Sequence, residues 1–131
     1  IAPQKEDPAA YEAAFASALG VLREGDLLAI FPEGAITRDG TLQPFKGGVM
    51  KIVDSARAEG IEPPVIPMAL TNLWGSYFSR IELRGGERVA MAKPFRRGFF
   101  SRVGLNVGAA VPSSEVQPES LRQRVGGLLG A

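Results

Sequence analysis

The spacing of apolar and polar residues along the chain predicts three helices. Asp7 followed by Pro8 has the form of an N-cap and a first helical position, and the apolar residues after them recur on one helical face up to a stop at Gly25. The apolar positions of this first helix are Tyr11, Ala14, Phe15, Ala18, Leu19 and Leu22. The same periodicity predicts a second helix over residues 46–59 and a closing amphipathic helix over residues 119–129.

Short apolar runs between these helices predict strands at residues 27–31 and 65–70, with weaker strands at 87–92 and 103–111. The first run, the second helix and the second run have the order of a βαβ unit, whose strands are parallel and whose connection is right-handed. We therefore expect an α/β fold with a partly parallel sheet and flanking helices. In such a sheet the turn after residue 31 and the pair Thr71-Asn72 would meet at the carboxyl edge, where open α/β sheets bind ligands.

The segment at residues 31–48, FPEGAITRDGTLQPFKGG, is the strongest candidate for a binding site because it directly follows the first predicted strand. Lys46, Gly47 and Gly48 come at the start of the second predicted helix, where free amides and the helix dipole favour an anion. Lys46 and Arg38 can each donate a charge-assisted hydrogen bond to phosphate. The alternative is that Lys46 extends into solvent and the glycines serve only a tight turn.

Glu33 has three open roles at the end of the predicted strand. Its carboxylate can fix the loop by accepting bonds from backbone amides, contact a ligand hydroxyl, or cap a turn. Catalysis by Glu33 alone is the least favoured because no paired carboxylate at a fixed spacing accompanies it. The chain also contains no histidine and no cysteine, which removes the commonest general base, the strongest nucleophile and any thiolate metal site.

Length and charge place the chain among single soluble or membrane-surface domains. Its 131 residues are 45% hydrophobic, enough for one core, and no apolar run approaches the roughly 20 residues that span a bilayer. Residues 80–102 carry seven basic and two acidic side chains and are interleaved with three phenylalanines. That mixture suits anionic lipid headgroups, and the alternative is a solvated surface. Nucleic acid is disfavoured as a partner because no recognised motif accompanies the charge.

Four motifs carry a family resemblance. They are IFPEG at 30–34, TRDG at 37–40, PFKGG at 44–48 and VIPMAL at 65–70. In this order and spacing they resemble consecutive motifs of the glycerophospholipid acyltransferase family, of the lysophosphatidate acyltransferase type, over roughly residues 1–75. Residues 72–80 and 94–108 more loosely resemble acyltransferase domains fused to transporter-like membrane proteins or to acyl-activating enzymes.

The resemblance implies transfer of an acyl group from a thioester on coenzyme A or acyl carrier protein to a hydroxyl of glycerol phosphate or a lysophospholipid. It implies no other cofactor and no metal. The general base of the family is a histidine separated by four residues from an aspartate, and this pair is expected upstream of Ile1 unless the chain is a degenerate relative. Residues 1–131 would then be the C-terminal part of a single acyltransferase domain, inactive alone. The expected location is the cytoplasmic face of a membrane, peripherally or within a larger membrane protein.

The resemblance also assigns the binding residues. Glu33 and Gly34 match the family motif directly, and Lys46 and Gly47 match the turn that follows it. The family places threonine and arginine directly after the glycine, whereas two residues intervene before Thr37 and Arg38 here. Arg38 therefore supplies its charge from a shifted position, or the acceptor phosphate is bound differently. The predicted acceptor-binding set is Glu33, Gly34, Arg38, Lys46 and Gly47. A competing interpretation is a noncatalytic phospholipid-binding or regulatory module of the same fold.

Overall fold

A computed structural model of the chain describes residues 7–34, 41–72, 81–84, 87–90 and 102–130. The helices are α1 (Pro8–Arg23), α2 (Gly48–Ala58) and α3 (Pro118–Leu129), and a short 3₁₀ helix lies at Ser113–Glu115. The strands are β1 (Met68–Thr71), β2 (Ile81–Arg84), β3 (Glu87–Ala90) and β4 (Gly104–Val107). The chain therefore combines helices with short strands, as expected for a mixed α/β protein.

The helix boundaries follow the local signals in the sequence. The carboxylate of Asp7 accepts a hydrogen bond of 2.9 Å from the Ala10 amide, which confirms the predicted N-cap of α1. Gly25 and Gly60 follow α1 and α2 with φ of 78° and 79°, values that favour glycine. α2 begins at Gly48, two residues later than predicted. α3 matches the predicted closing helix to within one residue.

The strands of the described residues pair in two antiparallel two-stranded sheets. β1 pairs with β4 so that Met68 lies opposite Val107 and Thr71 opposite Gly104. An isolated antiparallel bridge between Val65 and Val111 continues the contact of these two chain segments. β2 pairs with β3, and β2 was not predicted from the sequence.

The predicted βαβ unit is wrong for the part of the chain that the structure describes. Residues 27–31 are not in a strand, and β1 is antiparallel to its partner rather than parallel. A strand forms where a neighbouring strand takes its backbone hydrogen bonds, and no described strand lies beside residues 27–31. Leu27 is 97% exposed and Phe31 78% exposed, so this run is not covered on both faces. An apolar run indicates a tendency to be buried but not the partner or its direction.

Among the described residues, the core consists of two clusters that share α2. One cluster contains Val49, Val53, Val111, Val116 and Leu121, with Phe45, Met50 and Val65 packed against it. The other contains Phe15, Ala18 and Ile52, with Tyr11, Leu22 and Leu28 packed against it. α2 is therefore covered on one side by α1 and on another by residues from the C-terminal part of the chain, and its position is fixed by both.

Charged pairs on the surface support the contact between α1 and α2. Arg23 donates from Nε and Nη2 to the two carboxylate oxygens of Glu59 at 2.6 and 2.5 Å. The hydrogen bond and charge of Glu59 raise the pKa of Arg23, and the hydrogen bond from Arg23 lowers the pKa of Glu59. Lys51 Nζ lies 2.7 Å from Glu12 and 4.4 Å from the ring centroid of Phe15. Because the pairs are solvent-exposed, they orient the helices more than they stabilise them.

Candidate anion-binding site

Two short segments form the candidate site, and a backbone hydrogen bond joins them. We name residues 31–34 the FPEG turn and residues 41–47 the arm. Gly34 donates its amide to the Phe31 carbonyl at 3.1 Å, which closes the turn. The Lys46 amide donates to the Pro32 carbonyl at 2.8 Å, which connects the arm to the turn directly before α2. The turn therefore lies beside the N-terminal end of that helix.

Glu33 provides the second connection between the same segments. Its Oε2 accepts a hydrogen bond of 2.7 Å from the Gln43 amide in a half-buried position. Of the three roles that the sequence left open, the structure shows the first, in which the carboxylate fixes the loop. One oxygen of Glu33 is thus committed to the backbone of the arm.

Lys46 lies over Gly34. A Cβ built on Gly34 would be 3.0 Å from Cδ and 3.2 Å from Nζ of Lys46, and the φ of Gly34 is +64°. Both the conformation and the close approach favour glycine here. The side chain of Lys46 remains exposed but is folded back across the turn, so its ammonium group sits beside the backbone of the FPEG turn.

The N-terminal end of α2 is open next to this lysine. Gly47 is the N-cap residue, and it has no side chain with which to cap the first amides of the helix. A Cβ on Gly47 would meet nothing within 4 Å, and its φ of −67° does not require glycine. The backbone conformation at position 47 therefore does not require glycine, and the space beside Gly47 is open. The first amides of a helix have no acceptor within the helix, and together with the positive end of the dipole they favour a small anion.

The structure brings together four of the five predicted binding residues, namely Glu33, Gly34, Lys46 and Gly47. Arg38 lies outside the described residues. Thr71-Asn72 was predicted to meet the turn because the strands before them were expected to be parallel. β1 is antiparallel to its partner, so the structure gives no support for that prediction. In the described ranges, no group of three or more histidine, cysteine, aspartate or glutamate residues is arranged to hold a metal ion.

Sequence reasoning missed the contact that α3 makes with the arm. Arg122 Nη2 donates to the Leu42 carbonyl at 3.4 Å, across 80 residues of sequence. Phe45 also packs against the first core cluster, which anchors the arm from within. No short-range pattern could have indicated the Arg122 contact, because it depends on how α3 packs.

A model of the acyltransferase family matches residues 3–71, more than half of the 131 residues. The match spans α1, the FPEG turn, the arm, α2 and β1. The chain belongs to the acyltransferase family. Comparison with curated proteins gave no match, and comparison with solved structures gave none either.

Membership in the acyltransferase family confirms the resemblance drawn from the four ordered motifs. It indicates a transferase that moves acyl groups in lipid metabolism, with a lipid acceptor and an acyl donor as its substrates in general. The candidate site of this acyltransferase lies wholly inside the matched residues, whereas β4 and α3 lie outside them.

The role of Glu33 in this acyltransferase can be tested by removing its acceptor. Glu33→Ala should lower the free energy of unfolding by about 1 kcal/mol, because it removes the hydrogen bond from the Gln43 amide to the Glu33 carboxylate. Glu33→Gln keeps a carbonyl acceptor and should lose less. Urea unfolding measures the first effect, and hydrogen exchange of the Gln43 amide should be faster in Glu33→Ala.

The matched control is Glu62→Ala, which removes an exposed carboxylate in the loop after α2. It should leave the exchange of Gln43 unchanged. Equal exchange of the Gln43 amide in Glu33→Ala and in the parent chain would contradict the loop-fixing role.

Proposed function

We propose that this chain is the acceptor-binding part of a glycerophospholipid acyltransferase of the lysophosphatidate acyltransferase type. The acyl group would pass from a thioester on coenzyme A or acyl carrier protein to a hydroxyl of glycerol phosphate or a lysophospholipid. The observation that carries the proposal is the position of Lys46, folded over Gly34 at the open N-terminal end of α2.

The electrostatics of Lys46 support a phosphate ligand. A lysine at a helix N-terminus is unfavourable by about 0.3–1 kcal/mol, because its charge faces the positive end of the dipole. In the described part of the chain no carboxylate forms an ion pair with Lys46. A phosphate would supply the missing negative charge and accept bonds from both the ammonium and the helix amides. Arg38 is proposed as a second cation of the same site.

The composition of the chain indicates that these residues bind the acceptor and that other residues carry out catalysis. With no histidine and no cysteine, these residues offer neither the usual general base nor a thiol nucleophile for acyl transfer. We therefore assign to the chain the binding of the acceptor phosphate or glycerol. The catalytic histidine and aspartate of the family are assigned to residues outside it, and residues 1–131 to the C-terminal part of one acyltransferase domain.

The same missing histidine favours a second candidate function, a noncatalytic phospholipid-binding or regulatory module that keeps the anion site. Both candidates use Lys46 and the FPEG turn in the same way. They differ in whether a histidine and an aspartate separated by four residues accompany this chain in the same protein. Their presence would support the enzyme and their absence the module.

Contact with the cytoplasmic face of a membrane is part of the proposal and has two supports. Four apolar side chains of the β1–β4 sheet are exposed in facing pairs, Met68 with Val107 and Leu70 with Leu105. The sequence between these strands contains the basic block at 80–102, of which Arg102 is described and exposed. Apolar contact and cationic charge together favour an anionic bilayer surface. In the described ranges, no helix has the length and apolar character to cross a bilayer.

Lys46→Ala should weaken binding of glycerol phosphate about 10- to 100-fold, because it removes one charge-assisted hydrogen bond of about 1.5–3 kcal/mol. Isothermal titration of the full chain measures this. Arg57→Ala is the control, since Arg57 is an exposed cation near the C-terminal end of α2. If the Lys46→Ala variant binds glycerol phosphate as tightly as the parent chain, the proposed phosphate site is refuted.

The 131-residue chain by itself should transfer no acyl group from acyl-CoA to lysophosphatidate. The expected reason is the absence of a histidine that could deprotonate the acceptor hydroxyl. Product formation followed by mass spectrometry is the measurement, and turnover above the rate without protein would disprove the assignment of catalysis to other residues.

Sedimentation with liposomes tests the membrane contact. Bound protein should increase with the fraction of anionic lipid and decrease at high salt, because the basic block supplies the attraction. Replacing Met68 and Leu105 with serine should weaken binding at a fixed anionic fraction. Binding that does not change with lipid charge would remove the role assigned to residues 80–102.

A further inference from the structure

α3 contacts the arm through two residues on one helical face. Arg122 Nη2 donates to the Leu42 carbonyl at 3.4 Å, at the long end of the range for such bonds. One turn further along, a Cβ built on Gly126 would lie 3.9 Å from Leu42 Cδ2. Residues four apart share a face of an α-helix, so the carbonyl and the side chain of Leu42 both meet that face.

The guanidinium of Arg122 has a contact at each of its two terminal nitrogens. Glu119 Oε1 lies 3.6 Å from Nη1, whereas Nη2 donates to the Leu42 carbonyl. Arg122 Nε is buried and has no hydrogen-bond partner among the described residues. The Arg122 side chain is 38% exposed, so Nε packs against the protein while another part of the side chain remains in solvent.

α3 is in turn fixed to the core. Leu121 is 4% exposed and belongs to the cluster that contains Val49 and Val53 of α2. Asn106 Nδ2 of β4 donates to the Leu128 carbonyl at 2.7 Å, which attaches the C-terminal end of α3 to the sheet. The helix is thus a rigid support for Leu42, which precedes Lys46 by four residues.

We propose that Arg122 is a positioning residue of the anion site. It holds the arm through the Leu42 carbonyl and thereby keeps Lys46 over Gly34, without contacting the ligand itself. The inference rests on the proposed phosphate site, and it adds a residue from α3, which lies outside the part of the chain matched to the acyltransferase family.

The first test compares Arg122→Met with Arg124→Met in the full chain. Methionine keeps an unbranched stem and high helix propensity but removes the donor, so both variants should fold. Arg124 is an exposed cation of the same helix, so its replacement removes the same charge without the Leu42 contact. Titration with glycerol phosphate should show binding about 3- to 10-fold weaker for Arg122→Met and changed less than about 2-fold for Arg124→Met. Arg122→Lys, which keeps a cationic donor, should restore part of the affinity.

A double-mutant cycle separates positioning from direct contact. If Arg122 acts through Lys46, Arg122→Met should change affinity less than about 2-fold once Lys46 is already alanine. Independent losses that multiply in the double variant would overturn the positioning role. Thermal unfolding of each variant shows whether a weaker affinity reflects only a smaller folded fraction. The affinities are then corrected for that fraction. If the corrected affinities of Arg122→Met and Arg124→Met are equal, the proposal is overturned.

The result for Lys46→Ala alone separates a failure of the phosphate site from a failure of the positioning role of Arg122. If Lys46→Ala weakens binding and Arg122→Met does not, the phosphate site stands and the positioning role is rejected. If Lys46→Ala binds glycerol phosphate as tightly as the parent chain, both are rejected.

Discussion

The burial of α2 on two sides is the constraint on which the rest of the structure depends. Val49, Ile52, Val53 and Ala56 recur at the spacing of one helical stripe, and all four are buried. Val49 and Val53 belong to the cluster formed with the C-terminal part of the chain, whereas Ile52 belongs to the cluster formed with α1. Because both sides of the stripe are occupied, the helix cannot shift without opening one cluster. Its N-terminal end is therefore presented in a fixed place.

That fixed end determines what the neighbouring charges can do. The Lys46 amide is bonded to the FPEG turn and its side chain lies across Gly34, while Glu33 uses one carboxylate oxygen on the Gln43 amide. The negative charge of the motif thus supports the loop, and the positive charge remains beside an uncapped helix end. An anion is the complement of such an arrangement. The chain contains no histidine, the commonest general base for removing a proton from a hydroxyl.

The sequence predicted well those features that depend on neighbours within a few residues. The Asp7 cap, the helix stop at Gly25 and the turn at Gly34 follow from local chemistry, and each is present. The order of the four motifs was sufficient to identify the family. Strand direction could not be predicted in the same way, because residues 65–70 are equally apolar whichever partner they take. The actual partner of β1 begins at Gly104, far along the chain, and only tertiary packing selects it.

The packing that supports the candidate site comes from a different part of the chain than the residues of the site. Lys46, Glu33 and Gly34 lie within residues 3–71, which match the acyltransferase family. Val111, Val116 and Leu121, which complete the core cluster of α2, lie beyond residue 71. Removing them would expose Val49 and Val53 and release the helix end that presents the site. The matched segment therefore contains the residues of the candidate site, and the C-terminal segment supplies part of the packing that holds α2 in place.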